Sequence, residues 1–125
     1  MEFKSLKIIK DLEKQIQTGY SLSIFKGYVA INKRGIEKLI DELYANLPDD
    51  VKAAREYLQN KNQQITPNQA SEIFDNIKEF ETHIESPLQI ATHVIVNIKE
   101  MEKLIDKIYN TLPEEIIEAD VLDKR

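Results

Sequence analysis

The chain has 125 residues, 42% of them hydrophobic and 31% charged, and a net charge of −5. This composition belongs to a globular chain rather than a disordered one, and the length suits one domain or two very small ones. The absence of cysteine excludes disulfide frameworks, thiol nucleophiles and zinc-finger ligand sets, and no apolar run approaches the ~20 residues of a membrane span.

The amino-terminal MEFKSLKIIKDLEK interleaves charge with apolar residues, which is not the pattern of a secretion signal, so a cytoplasmic location is expected. Charge is unevenly distributed. Residues 1–38 hold eight basic and four acidic side chains, a balance of +4, and the remainder carries −9. Such asymmetry predicts attraction between the two ends, within one molecule or between two, or contact of the basic end with an anionic partner.

The first predicted element is a helix over about residues 2–18. Its apolar positions Leu6, Ile9, Leu12 and Ile16 step by three and four, Lys4, Lys7, Lys10 and Lys14 share the opposite face, and Gly19 is the expected stop. Tyr28–Ile31 reads as a short strand, which SLSIF would pair as a hairpin across Lys26-Gly27. Asn32 stands as the N-cap of a helix that buries Ile36, Leu39, Ile40, Leu43 and Leu47. Pro48 is expected to end that helix and to start another short one, with Asp49-Asp50 complementing its dipole. The polar run Gln59–Gln64 reads as a linker.

The same order then returns. Thr66, Pro67 and Gln69 form a capping signature, followed by the stripe Ile73, Ile77, Phe80 and Ile84, which ends before Ser86-Pro87. His93–Val96 is the second strand, and Ala91-Thr92 before it makes a poor turn. Asn97 caps a helix bearing Met101, Leu104, Ile105, Ile108 and Leu112, with Glu100 completing a capping-box-like pair, and Pro113 followed by Glu114-Glu115 repeats the corner.

This recurrence is a duplication. A shift of 65 positions aligns Val29–Ala54 with Val94–Ala119 without a gap, and eleven of the twenty-six positions are identical. The expected fold is mainly α with a small β element (α+β), a tandem helix–short strand–helix–helix repeat. Residues 1–60 form repeat one and residues 65–125 repeat two, together one compact domain about an approximate two-fold axis. A lone strand leaves backbone groups unpaired, so the two strands are expected to pair with each other. The logic is that of a fused homodimer, two half-cores covering each other.

Some repeated residues are not explained by packing. Glu37 and Asp41, like Glu102 and Asp106, lie one turn apart on a helix face, a spacing at which like charges repel by a few tenths of a kcal/mol. With Tyr44 and Tyr109 at the edge of the apolar stripe, they are the candidate partner-binding residues. The alternative surface is the row Lys4, Lys7, Lys10 and Lys14, which would suit a peripheral membrane-surface adaptor.

His83 follows Glu79 by four residues, which supplies only two possible metal ligands, and His93 has no counterpart in the first copy. No nucleophile elbow, P-loop, dinucleotide fingerprint, HExxH or EF-hand loop is present. No enzyme activity, cofactor or metal is expected, and an acidic chain without basic–aromatic interleaving is not expected to bind nucleic acid.

The run Phe25-Lys26-Gly27-Tyr28, followed by a helix with a Leu39-Ile40-Asp41 step, resembles the start of DivIVA-type bacterial scaffolds. The asparagine-led helix ending in LPEE is similar to N-terminal segments of bacterial proteins labelled DivIVA-like or ATP-synthase-b-like. The aspartate comes about three residues later than in the DivIVA pattern, and the second copy reads Ile90-Ala91-Thr92-His93 at the motif. The resemblance implies a cytoplasmic, self-associating scaffold. Together these readings make the expected function a non-enzymatic protein-interaction or scaffold module built by internal duplication.

Overall fold

The computed structural model describes residues 2–63, 71–85 and 88–125. Among these residues the order is α1 (Lys4–Gln17), β1 (Tyr20–Ser21), β2 (Tyr28–Asn32), α2 (Lys33–Asn60), α3 (Ser71–Ile84), β3 (Gln89–Ile90), β4 (His93–Asn97), α4 (Ile98–Asn110) and α5 (Glu114–Asp123). The fold is mainly helical with one small antiparallel sheet, in strand order β1-β2-β4-β3. The capping signature at Thr66, Pro67 and Gln69, and Ser86-Pro87, lie outside the described residues.

The expected strands form and pair with each other. Val29 lies opposite Val96, Ala30 opposite Ile95 and Ile31 opposite Val94, so the central pair joins two positions that are 65 apart. Lys33 N–H donates to Thr92 O (3.1 Å) and Ile98 N–H to Gly27 O (2.8 Å), extending this ladder at both ends. Side chains alternate across a strand. Val29, Ile31, Val94 and Val96 therefore point together to one face, where they are buried with the apolar stripes of the helices. α1 and α2 pack on β2, α3 and α4 on β4, and α1 also reaches α4.

Two short strands extend the sheet. The first hairpin is wider than a turn at Lys26-Gly27, because β1 pairs through Tyr20 and Ser21 and leaves Leu22–Gly27 as its loop. Gly27 has a φ of 84°, which glycine adopts without strain. The second hairpin turns at Ala91-Thr92 despite its unsuitable residues, with Ala91 held at φ 54°. Gly19 lies beyond the end of α1, where a Cβ would fall 2.3 Å from a Val29 methyl, so its value is close approach to β2.

Both asparagine caps form as expected: Asn32 Oδ1 accepts from Gly35 N–H (2.8 Å) and Asn97 Oδ1 from Glu100 N–H (2.9 Å). The capping-box partner does not reciprocate, since the Glu100 carboxylate is turned to His83. Leu39 is only half-buried.

The two proline corners diverge. Pro48 does not stop its helix: α2 runs unbroken through it for 28 residues. Proline removes one helical hydrogen bond and crowds the preceding turn, at a cost of ~3 kcal/mol in a helix interior. Here the ring lies on the exposed side, where water can reach the carbonyl of Tyr44 that lost its donor. Continuing the helix buries Ala54 and Leu58 against neighbours that include α5 and brings Asp50 to the start of α1. No side chain of α1 caps its own amino terminus, and Ser5 N–H donates instead to Asp50 Oδ2 (2.7 Å).

Pro113 does mark a break, standing before α5 in extended conformation rather than inside the first turn. The difference has a local cause. Thr111 Oγ1 donates to Lys107 O (2.7 Å), and the Asn76 amide of α3 donates to Thr111 Oγ1 (3.0 Å) and to Lys107 O (3.3 Å), satisfying the end of α4. The aligned positions in the first copy are Asn46 and Asp11. Asn46 bonds back into its own helix at Glu42 O (2.7 Å), and an ionised aspartate has no hydrogen to donate.

Because Asp50 caps α1 from another helix, Asp50→Ala should lower unfolding stability by about 1–3 kcal/mol, whereas Asp50→Asn, which keeps an acceptor, should lose less. Urea titration of the two variants measures both. Ala91→Gly relieves a positive φ and should raise stability by about 0.5–1 kcal/mol. A decrease there would mean that the turn is not strained.

Candidate functional site

Among the described residues the helices pack on one face of the sheet, and the other face carries the exposed side chains. Its residues are those that alternate with the core valines and isoleucines: Tyr28, Ala30 and Asn32 on β2, and His93, Ile95 and Asn97 on β4. Tyr20 is aligned with Ala30 and Ile90 with His93, and Ile95 N–H donates to Leu88 O (3.0 Å), so apolar side chains continue to both edges. Tyr20 is 71% exposed, Leu88 57% and Ile90 59%, and the β1–β2 loop adds Ile24 at 84% and Phe25 at 55%.

The small side chain of Ala30 lets the Tyr20 ring lean across β2 to His93 on β4, with centroids 5.6 Å apart. Phe25 and Tyr28 meet edge to face at 6.2 Å. None of the four strands contains Asp, Glu, Lys or Arg, although charged residues make up 31% of the chain. A chain that places charge almost everywhere else presents here strands without Asp, Glu, Lys or Arg, a mixed face of exposed apolar and uncharged polar side chains with His93 among them.

A cavity of about 330 Å³ opens at one rim of this face, between Tyr28, Leu88, Ile95 and the ends of α3 and α4. Its polar wall is His83 with Glu100. His83 Nδ1–H donates to Glu79 O (2.9 Å), which turns Nε2 towards the Glu100 carboxylate at 3.0 Å. A proton on Nε2 makes that second contact attractive. The His83 value is raised, first by the bond to the Glu79 carbonyl, with burial opposing it next and Glu100 adding a lesser upward push. The last turn of α3 adds the negative end of its dipole.

The residues read from the sequence occupy other places. Glu37 and Asp41 are exposed on α2 and line a small cavity of about 60 Å³ with Lys33 and two further acids, Glu81 and Glu85. Tyr44 is half-buried there, its ring stacked on Phe74 at 6.0 Å. Burial, then a hydrogen bond to Glu81, then the charges of Glu81 and Asp41 push its hydroxyl value well upward.

Glu102, Asp106 and Tyr109 are exposed on α4, a different helix, so the two acidic pairs do not form one continuous row. Lys4, Lys7, Lys10 and Lys14 are all exposed along α1, but Phe3, Ile9, Leu12 and Ile16 beneath them are buried in the core. A lipid surface would therefore meet the lysines without the apolar face. Among the described residues, no three His, Cys, Asp or Glu side chains converge to hold a metal ion, and no helix is long and apolar enough to cross a membrane.

Sequence reasoning missed the open face because β1 and β3 contribute two residues each, below the length at which alternation registers. Its available signal was the run of exposed apolar residues Ile24, Phe25 and Tyr28 in the first hairpin and of Leu88 and Ile90 in the second.

The raised His83 value, owed first to the Glu79 carbonyl and then to Glu100, makes stability pH-dependent. A raised histidine value means that the contribution is complete below the ordinary value of 6.5 and is lost as pH rises through the folded-state value. His83→Gln should therefore cost more at pH 5.5 than at pH 8.5, by about 0.5 kcal/mol for a partly exposed pair. Urea titration at both values reads the difference, and an equal cost at both would remove the charged pair from the account.

No protein-family model matches the chain, nor does any curated protein or solved structure.

Proposed function

We propose that this protein is a non-enzymatic interaction module built by internal duplication, with the open face of the sheet as its docking surface. The observation that carries this reading is the set of exposed apolar side chains Tyr20, Tyr28, Leu88 and Ile90 beside the half-buried Ile95, extended by Ile24 and Phe25, on strands without Asp, Glu, Lys or Arg. Soluble monomers rarely leave contiguous apolar patches above a few hundred Å² uncovered, and larger ones mark interaction sites.

Duplication accounts for the platform. Residues 65 apart face each other at the centre of the β2–β4 ladder, and the two asparagine caps and the two bonds that end the ladder recur at the same spacing. These features support two repeats related by an approximate two-fold axis. In that arrangement the helices of both repeats cover one face of the shared sheet and leave the other for a partner. A scaffold role agrees with the DivIVA-like resemblance of Phe25–Tyr28 and its following helix, and a cytoplasmic location belongs to the same reading.

The partner chemistry follows from the face. It suits a protein surface that is itself largely apolar, because the strands offer a phosphate backbone no Lys or Arg to pair with.

The double variant Tyr20→Lys/Ile90→Lys tests the proposal. Both side chains are more than half exposed, so the unfolding midpoint should stay within about 0.5 kcal/mol of the parent. Fluorescence of bound 1-anilinonaphthalene-8-sulfonate, present in the native parent, should fall to background. A parent that binds no dye, or a variant that unfolds, would mean that the face is not a free docking surface.

A further inference from the structure

We infer that the occupant of the open sheet face is a second copy of this chain, laid face to face in a weak, reversible dimer. The inference rests on the reading of that face as a docking surface and names its partner.

Three observations lead to a copy rather than an unrelated molecule. The first is charge. Like faces that carry Asp, Glu, Lys or Arg repel or must be matched in register, whereas the strands here carry none of these, so two copies of the face meet without charge repulsion between strands. The Tyr20 and Tyr28 hydroxyls on it each both donate and accept hydrogen bonds and so can bond to the same group on a copy, while the Asn32 and Asn97 oxygens are held as helix caps.

The second is symmetry. A two-fold dimer uses the same patch on both subunits, so the patch must complement itself. The register that sets Ala30 opposite Ile95, and Tyr28 and Asn32 opposite Asn97 and His93, distributes the face about one central point. Ala30 at the centre is buried under the Tyr20 ring, so the relief of the face is set by the exposed Tyr20, Tyr28 and Ile90 around it. Sheets that pack in this way sit about 10 Å apart, aligned or crossed.

The third is area. At about 150–250 Å² per aromatic side chain and somewhat less per aliphatic one, the exposed fractions of Tyr20, Ile24, Phe25, Tyr28, Leu88 and Ile90 amount to roughly 500 Å². A standard interface buries about 800 Å² on each partner. The face falls short of a permanent dimer and lies in the range of a transient, reversible one.

The experiment is sedimentation velocity of the full chain from about 10 µM to 1 mM, at low and at high salt, for the parent and for Tyr20→Lys/Ile90→Lys. The parent mass should rise with concentration from 14.5 kDa towards twice that value. Apolar burial is not screened by salt, so the rise should persist or strengthen at high salt. The variant should remain at the monomer mass throughout.

A parent that is monomeric at 1 mM overturns the second copy. If its face still binds the anilinonaphthalene dye, the docking surface stands and its partner is a different protein; if the dye is also lost, both readings fail. Association that dissolves in salt assigns the contact to the basic first helix and the acidic remainder. Association that survives in the variant places the contact elsewhere on the molecule. Either result overturns the inference.

Discussion

The fold depends on the ladder between β2 and β4. Each strand has on its outer side one hairpin arm too short to stabilise it, and each has buried side chains on the face that meets the helices. Unpaired, either strand would leave its backbone groups without partners beneath an apolar layer, at a cost of about 1–3 kcal/mol for each buried group. Paired, they draw the stripes of α1 and α2 and those of α3 and α4 into one core. The remaining architecture is the set of helix positions compatible with that ladder, and its uncovered side is the surface on which the proposed function rests.

Near-identical sequence does not oblige near-identical structure. Leu47-Pro48 and Leu112-Pro113 carry the same residues, yet one lies inside an unbroken helix and the other marks a break. What separates them is a few hydrogen-bonding groups on neighbouring elements, an asparagine and a threonine in place of an aspartate and an asparagine. The acids that follow diverge as well. Asp50 caps α1, whereas Glu115 is buried and held by Arg55 Nε and Nη2, both at 3.0 Å. A proline in a helix costs a fixed amount, and whether the helix continues depends on what its extension buries and what its termination satisfies.

Much of the fold was legible in the residues because local rules and tertiary structure agreed there. The apolar stripes, the asparagine caps and the two central strands follow from periodicity and from the short polar side chain that begins each helix. Legibility failed where the deciding partner is distant in the chain. Nothing near Asp50 announces that it will meet Ser5, and nothing near Pro48 tells how α5 will cover the turns beyond it. The candidate site was the least legible part. Helical charge patterns drew attention to Glu37, Asp41, Glu102 and Asp106, while the apolar platform arises from β1 and β3, which are too short to show a pattern and become visible only once paired.

The brevity of β1 and β3 also governs how copies of this chain can accumulate. A sheet edge is a template for adding strands, and a long unpaired edge invites growth without limit. Each edge here offers only two residues of backbone, too few to fix a register or to hold an incoming strand against its loss of freedom. Lateral growth into fibrils is thereby discouraged while face-to-face contact stays open. A contact made through the face uses it up on both molecules, so assembly by that route terminates at two.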